Sequence, residues 1–217
     1  MLYKISQLIG KLILKFYFRA RIEGRENIPK EGAYIVVANH TSFLDPFLIG
    51  TTVPRIIHYL AYAYFYYHPV CHWYCKRVHN IPLKKDGKDI SALKQALRVL
   101  KDGELLGIFP EGGRSETGQL GKGEPGVALI ALKAKVPILP VGIRGAYEAF
   151  PKGSKFPKPH QLTITFGKPF TIADDLSGHV QANVELQEHV TALIMSKIAE
   201  VCGSIGVSAP KAAAPGA

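Results

Sequence analysis

Short apolar runs alternate with amphipathic segments along most of the chain. The runs are short, and several are rich in Val and Ile, which is typical of buried strands. They predict strands at residues 33–38, 55–60, 81–83, 105–109, 137–141 and 162–166. Helical periodicity predicts helices at residues 89–101, 127–134 and 180–201. Strands that alternate with helices predict an α/β fold, with a mixed, mostly parallel sheet flanked by helices in a single domain.

The helix predicted at residues 89–101 has a clear apolar face. Ile90, Leu93, Leu97 and Leu100 recur at spacings of three and four, so they lie on one side of a helix. We expect that side to pack against the sheet.

The first eighteen residues form a mostly apolar segment that three lysines interrupt. The lysines share one helical face because they are spaced by seven and four residues: Lys4, Lys11 and Lys15. A spanning helix needs about 20 apolar residues without charge, which this segment lacks. We therefore predict that residues 1–23 form an amphipathic helix lying in a membrane surface, the alternative being a helix packed on the protein's own core.

Composition narrows the possible partners. The 217 residues carry a formal net charge of +10, which attracts anionic surfaces. No motif typical of nucleic-acid binding accompanies this charge, so we expect no nucleic-acid partner and favour anionic lipid. The three cysteines form no disulfide framework, which indicates a reducing compartment. We predict one catalytic domain at residues 24–205, followed by a disordered tail at residues 206–217.

A histidine and an aspartate follow the first predicted buried strand. Neutral imidazole can remove a proton from an alcohol near neutral pH, so His40 is a candidate general base. Asp45 can hold the ring and stabilise the imidazolium that forms. The alternative is that Asp45 only caps a helix that begins at Pro46, since Asp favours the N-cap and Pro the first turn.

A second motif follows the strand predicted at residues 105–109. Glu111, Gly112, Gly113 and Arg114 place a carboxylate and a guanidinium around two glycines. The glycines allow a ligand close to the backbone, Arg114 can bind a phosphate with two parallel hydrogen bonds, and Glu111 can accept from a hydroxyl or position Arg114. Alone, the same residues would also suit a solvated turn.

Together these motifs resemble those of the glycerolipid acyltransferase family, which includes the 1-acylglycerol-3-phosphate acyltransferases. The resemblance covers residues 24–170 and is carried by Asn-His-Thr-Ser-Phe-Leu-Asp-Pro at 39–46, Phe-Pro-Glu-Gly-Gly-Arg-Ser at 109–115 and Val-Pro-Ile-Leu-Pro-Val at 136–141. Three positions depart from the family pattern. Gly113 replaces a threonine, Lys84 stands nearest the position of an arginine that binds the acceptor phosphate, and Tyr62 stands where a lysine is often found.

The resemblance implies transfer of a fatty acyl chain from an acyl carrier protein or coenzyme A thioester to the free hydroxyl of lysophosphatidic acid. His40 would be the base and Asp45 its orienting partner. Arg114 and Lys84 would hold the acceptor phosphate, and backbone donors near Gly112 and Gly113 would stabilise the oxyanion. The expected location is the cytoplasmic face of the cell membrane, peripheral or monotopic, without a cofactor. A glycerol 3-phosphate or other lysolipid acceptor, a lipid hydrolase, and a non-catalytic membrane-binding protein remain as alternatives.

A cluster of histidines and cysteines at residues 68–79 suggests a metal site at first sight. Its members are His68, Cys71, His72, Cys75 and His79. The segment is aromatic and apolar, where cysteine is commonly a small core residue, and the resemblance implies no metal. We therefore predict no metal site.

Overall fold

The described part of the chain folds around a seven-stranded sheet. The computed structural model describes residues 2–62, 80–83, 89–172 and 184–203, except for the side chains of residues 2–4 and 62. The strands are β1 (Arg21–Glu23), β2 (Tyr34–Ala38), β3 (Ile57–Tyr62), β4 (Ile81–Leu83), β5 (Leu105–Ile108), β6 (Ile138–Arg144) and β7 (Thr163–Phe166). The helices are α1 (Leu2–Leu12), α2 (Asp45–Thr52), α3 (Ile90–Lys101), α4 (Gly126–Ala134), α5 (Ala146–Ala149) and α6 (Val184–Cys202), with a π-helical segment at Ile13–Tyr17 and a 3₁₀ turn at Arg25–Asn27.

The strand order is β1-β7-β6-β2-β5-β3-β4. Only the β6–β7 pair is antiparallel, and the other neighbours run parallel. The predicted α/β fold with a mixed, mostly parallel sheet is therefore confirmed. β2 lies between β5 and β6, so the segment that leaves β2 is surrounded by those that leave its two neighbours.

Two apolar layers cover the sheet, one on each face. Side chains of a strand point alternately to opposite faces, so in β2 Ile35 and Val37 join one layer while Tyr34 and Val36 join the other. The first layer contains residues of α3, α4 and α6, and the second contains residues of α2, α5 and the π-helical segment. β2 is buried along its whole length, as a central parallel strand requires.

Two details of the predicted elements are wrong. Ile90 lies 67% exposed, because α3 is turned so that Ala92, Ala96 and Leu100 pack most deeply. β1 was not predicted at all, since its three residues contain a single apolar side chain. Its position at the sheet edge comes from pairing with β7, a long-range contact that local periodicity does not reveal.

The N-terminal segment packs on the domain through one side only. The Gln7 side chain donates to the carbonyl oxygens of Gly50 and Val53 at 2.9 and 2.8 Å, and Leu14 and Phe18 are buried. Its other side leaves large apolar side chains exposed: Ile5, Leu8, Ile9, Leu12, Ile13, Phe16 and Tyr17. The segment thus combines the packed helix and the exposed apolar surface that the sequence offered as alternatives.

The helix predicted at residues 1–23 ends earlier, and the last three of those residues form β1 because they pair with β7. The Phe18 N–H donates to the Ile13 carbonyl at 3.1 Å, an i to i+5 bond that widens the turn. Lys11 and Lys15 are both exposed. Within the described residues, no helix is long and apolar enough to cross a bilayer.

Several predictions fall on residues outside the described ranges. These are the phosphate contact of Lys84, the histidine and cysteine cluster at residues 68–79, and the tail at residues 206–217. The backbone of Tyr62 lies in β3, and its side chain is outside the described part. The domain boundaries stay a prediction.

Candidate active site

Both sequence motifs leave the sheet at the same edge. β2 ends at Ala38, two residues before His40, and β5 ends directly before Phe109. Because β2 and β5 are parallel neighbours, their carboxyl ends lie side by side. Sites of α/β proteins form beyond this edge, so the topology brings the predicted base and the predicted phosphate site together.

His40 and Asp45 form the predicted pair. His40 Nδ1 lies 2.9 Å from Asp45 Oδ2, and the Asp45 carboxyl group is fully buried. The same oxygen accepts from the backbone N–H groups of Thr41 and Ser42, each at 2.7 Å. A carboxylate that accepts from two backbone donors is fixed in position, and it fixes the imidazole in turn.

The helix-cap alternative for Asp45 is wrong. Leu44 occupies the N-cap of α2, and no side chain caps that helix. The Asp45 carboxylate instead points back to the turn that carries His40. Since Nδ1 faces this carboxylate, Nε2 is the ring nitrogen available to a substrate proton.

Aromatic rings pack against one face of the imidazole. The His40 ring stacks on Phe109 with centroids 4.1 Å apart and planes 20° apart, and Tyr59 stacks on Phe109 at 5.8 Å. Phe109 is the first residue of the second motif. The ring stack therefore orients the base and joins it to the loop that carries Arg114.

Backbone hydrogen bonds also hold the two motifs together. The His40 N–H donates to Glu111 Oε1 at 2.7 Å, and the Ser115 N–H donates to the His40 carbonyl at 2.7 Å. Glu111 Oε2 accepts from the Gly121 N–H at 2.9 Å. Burial raises the pKa of Glu111, although both backbone donors oppose that shift. The substrate-binding role of Glu111 stays a prediction, and the structure adds a second role, bridging the histidine turn to the loop around Gly121.

We expect Glu111→Gln to lower the free energy of unfolding by about 1–3 kcal/mol, because an amide has one acceptor oxygen for two donors, the partly buried His40 N–H and the exposed Gly121 N–H. Urea denaturation of both proteins measures this difference. Glu124→Gln makes the same change at an exposed carboxylate and should alter stability by less than about 0.5 kcal/mol. Equal stability of the Glu111 variant and the wild type would remove the bridging role.

Arg114 lies over the turn that carries His40. Its Cζ is 3.6 Å from the ring centroid of Phe43, within the range of a cation–π contact. Arg114 Nη1 is buried and has no hydrogen-bond partner among the described residues. Burial lowers the pKa of the guanidinium, and the Asp45 carboxylate opposes that effect, but arginine stays protonated. A positioned cation with unused donors is suited to an anionic group of a ligand.

The two glycines of the second motif differ in their requirements. Gly112 has φ +67°, which favours glycine, and its N–H donates to the Phe109 carbonyl at 3.1 Å. A Cβ at Gly113 would meet no atom within 4 Å. The position of Gly113 therefore has room for a Cβ and does not require glycine.

Sequence reasoning gave no role to two residues of the first motif. Asn39 exchanges two hydrogen bonds with the backbone of Ile143 in β6, at 2.9 and 2.8 Å, and so fixes the end of β2 to its neighbour. Phe43 supplies the platform for Arg114. An Asn directly after a buried strand suggests a hydrogen bond to a neighbouring backbone. The local sequence does not identify Ile143 as the partner of Asn39, or Arg114 as the partner of Phe43.

No group of three or more histidine, cysteine, aspartate or glutamate residues within the described ranges is arranged to hold a metal ion. The site brings together an imidazole, a buried carboxylate and a guanidinium. Such a site can remove a proton from a hydroxyl beside a bound anion.

Comparison with known proteins gives consistent matches. A sequence profile of the family described as Acyltransferase matches residues 19–144. The chain is 27% identical over 175 residues to a 1-acyl-sn-glycerol-3-phosphate acyltransferase of Bacillus subtilis, covering 80% of this chain and 84% of that protein. The chloroplastic 1-acyl-sn-glycerol-3-phosphate acyltransferase LPAT1 of Arabidopsis thaliana is 29% identical over 70% of this chain, which spans 43% of the plant protein.

A solved structure agrees with these sequence matches. The crystal structure of the 1-acyl-sn-glycerophosphate acyltransferase PlsC from Thermotoga maritima superposes with a TM-score of 0.75 and 31% identity, covering 91% of this chain and 78% of that one. The profile match spans both motifs and the strands that carry them. The chain therefore belongs to the glycerolipid acyltransferase family and is an acyltransferase.

Proposed function

We propose that the protein transfers a fatty acyl chain from an acyl carrier protein or coenzyme A thioester to the free hydroxyl of 1-acylglycerol 3-phosphate, giving phosphatidic acid. The observation that carries this proposal is the placement of the His40–Asp45 pair beside the partly buried Arg114 guanidinium. A base and an anion site on adjacent loops suit an acceptor whose hydroxyl and phosphate belong to one small headgroup. The names of the relatives, which describe acylation of 1-acylglycerol 3-phosphate, support the same acceptor.

The proposed reaction begins with proton removal. His40 Nε2 takes the proton of the acceptor hydroxyl while the hydroxyl oxygen forms a bond to the thioester carbonyl carbon. The buried Asp45 carboxylate stabilises the imidazolium that forms. The tetrahedral intermediate then expels the donor's sulfur, which receives the proton from His40, and the new ester is phosphatidic acid.

The carbonyl oxygen gains negative charge in the intermediate and needs a donor. The Gly112 N–H already donates to Phe109, so the proposal assigns this role to the N–H of Gly113. The exposed position of Gly113 in the loop supports the assignment.

We further propose that the protein works at the cytoplasmic face of the cell membrane. The exposed apolar side of the N-terminal segment supports attachment in the plane of the bilayer, and the net charge of +10 supports an anionic headgroup layer. Both substrates of the proposed reaction are accessible there, since the acceptor lies in the bilayer and the thioester carriers are dissolved in the cytoplasm.

A panel of acceptors tests the proposed substrate. The purified protein should acylate lysophosphatidic acid faster than glycerol 3-phosphate, lysophosphatidylcholine or monoacylglycerol, each offered with the same thioester. A faster reaction with glycerol 3-phosphate or with lysophosphatidylcholine would replace the proposed acceptor and leave the acyl transfer intact.

We expect Arg114→Ala to raise KM for lysophosphatidic acid by about 10- to 100-fold, because two charge-assisted hydrogen bonds to the phosphate are lost. The rate with monoacylglycerol, which has no phosphate, should change little. Steady-state kinetics with both acceptors measure the difference. Arg98→Ala removes an exposed arginine of α3 and should leave both constants unchanged.

Phe43 offers a second variant for the same site. Phe43→Leu keeps the guanidinium but removes its platform, so KM should rise in the same direction by a smaller factor, while Phe43→Trp should retain the wild-type value. An equal loss with phosphorylated and phosphate-free acceptors in the Arg114 and Phe43 variants would contradict the assigned phosphate site.

A further inference from the structure

The loop at residues 151–159 combines an exposed aromatic ring with exposed lysines, and the proposed acyl transfer gives these residues no role. It connects α5 to the segment leading into β7 and contains Phe156, whose exposed fraction is 79%, the largest among the exposed large apolar side chains of the described residues. Three exposed lysines lie in the same loop: Lys152, Lys155 and Lys158. The Phe156 ring stays in contact with water unless a partner covers it, and covering an apolar ring is favourable.

The loop is fixed beside the active site. Its first neighbour, Phe150, accepts through its carbonyl from Ser42 Oγ at 2.8 Å, and its ring lies 6.3 Å from Phe43. Lys152 forms an ion pair at 2.6 Å with Glu116, which follows the second motif. The Lys158 N–H closes the base of the loop by donating to the Ala149 carbonyl at 2.7 Å. The loop therefore stands over the same edge of the sheet as His40.

The loop also contacts the N-terminal segment. Tyr17 Oη donates to the Pro157 carbonyl at 2.8 Å, a bond between residues 140 positions apart. The residue that precedes each of them in the sequence is an exposed phenylalanine: Phe16 has an exposed fraction of 70%, and Phe156 one of 79%. The exposed apolar side of the N-terminal segment thus continues onto the loop.

We propose that the loop at residues 151–159 is a second membrane contact, inserting Phe156 at the boundary of headgroups and acyl chains in an anionic bilayer while its lysines bind lipid phosphates. The inference rests on the membrane location proposed above. A loop that carries an exposed aromatic ring and exposed lysines, and that contacts a segment with an exposed apolar side, fits a lipid surface. The loop contacts the N-terminal segment through Tyr17 and is tied to the turn that carries His40 through Ser42, so the two contacts together would hold the site close to the bilayer that contains the acceptor.

Tryptophan fluorescence tests the insertion directly. Phe156→Trp should gain a blue-shifted emission component on addition of vesicles of phosphatidylcholine and phosphatidylglycerol, relative to the wild type with its single Trp73. Brominated acyl chains in the same vesicles should quench that component. An emission spectrum at position 156 that vesicles do not change would overturn the proposal.

Vesicle sedimentation measures the contribution of each part of the loop. Phe156→Ser should weaken binding to the vesicles by about tenfold, because the variant lacks the apolar surface that the phenylalanine ring buries in the bilayer. The double variant Lys155→Glu/Lys158→Glu should weaken binding to anionic vesicles by about tenfold or more, and salt should reduce the difference. The matched control, Lys101→Glu/Lys133→Glu, reverses two exposed charges at the ends of α3 and α4, which precede parallel strands and so lie at the opposite edge of the sheet.

Two outcomes would overturn the membrane contact. One is binding of the loop variants and the control variant to vesicles with equal affinity. The other is wild-type vesicle binding by Lys155→Glu/Lys158→Glu together with a raised KM for an acyl carrier protein donor alone, which would assign the loop to that acidic protein. Activity toward a short-chain, water-soluble lysophosphatidic acid separates this test from the proposed function. Phe156→Ser should retain that activity, and a wild-type protein without it would contradict the acyl transfer and leave the vesicle result standing.

Discussion

We expect His40→Ala to lower kcat by about 10²-fold or more while the protein stays folded, because the hydroxyl loses the group that removes its proton. The imidazole is 18% exposed, so its removal opens a small gap at the surface of the site. Circular dichroism and thermal unfolding should therefore remain close to wild type. Single-turnover rates with lysophosphatidic acid and an acyl thioester measure the chemical step.

A matched histidine substitution separates chemistry from general damage. His189→Ala removes an exposed imidazole of α6 and should leave the rate unchanged. His40→Ala with near-wild-type turnover would show that another group is the base, and a folded protein with unchanged vesicle binding but no turnover would support the assignment.

We expect Asp45→Asn to lower kcat by about 10²-fold or more, for a reason visible in its hydrogen bonds. One oxygen, Oδ2, faces three groups: His40 Nδ1 and the N–H groups of Thr41 and Ser42. The other oxygen, Oδ1, is buried without a hydrogen-bond partner among the described residues. An asparagine must therefore bury its NH₂ group where no acceptor stands or turn it toward two donors, and in either case the negative charge is lost.

The same variant should destabilise the fold, since a buried amide with unused donors costs about 1–3 kcal/mol. Stability and kcat are thus both expected to fall, and Asp45→Asn must be assayed well below its unfolding temperature. Asp102→Asn makes the same change at the exposed end of α3 and should alter neither quantity. A folded Asp45→Asn protein with wild-type kcat would contradict the orienting role.

Strand positions in the centre of the sheet follow from sequence because each central strand is buried on both faces. β2, for example, is a continuous run of apolar residues, and its predicted range differs from the observed Tyr34–Ala38 by a single residue. The order β1-β7-β6-β2-β5-β3-β4 does not follow in the same way. It depends on pairings such as β1 with β7, between residues about 140 positions apart.

In the site, too, contacts between residues close in sequence could be predicted, and contacts between distant residues could not. His40 and Asp45 are separated by five residues, so a single turn can join them, and the motif predicted their contact. The bonds of His40 to Glu111 and Ser115, and the stack of Arg114 on Phe43, connect loops about 70 residues apart. Only the folded sheet, which places β2 beside β5, brings those loops together. The resemblance to a family linked the two motifs by their occurrence together, and the structure supplies the physical contacts.

Acyl transfer by His40 to a phosphorylated acceptor can be measured with labelled lysophosphatidic acid in vesicles and purified protein. Acyl carrier protein and coenzyme A thioesters are offered in parallel, and labelled phosphatidic acid is measured together with released thiol. We expect phosphatidic acid and thiol in equal amounts with at least one donor, and a loss of both in His40→Ala. No phosphatidic acid with either donor, or release of free fatty acid at the rate of thiol formation, would contradict it.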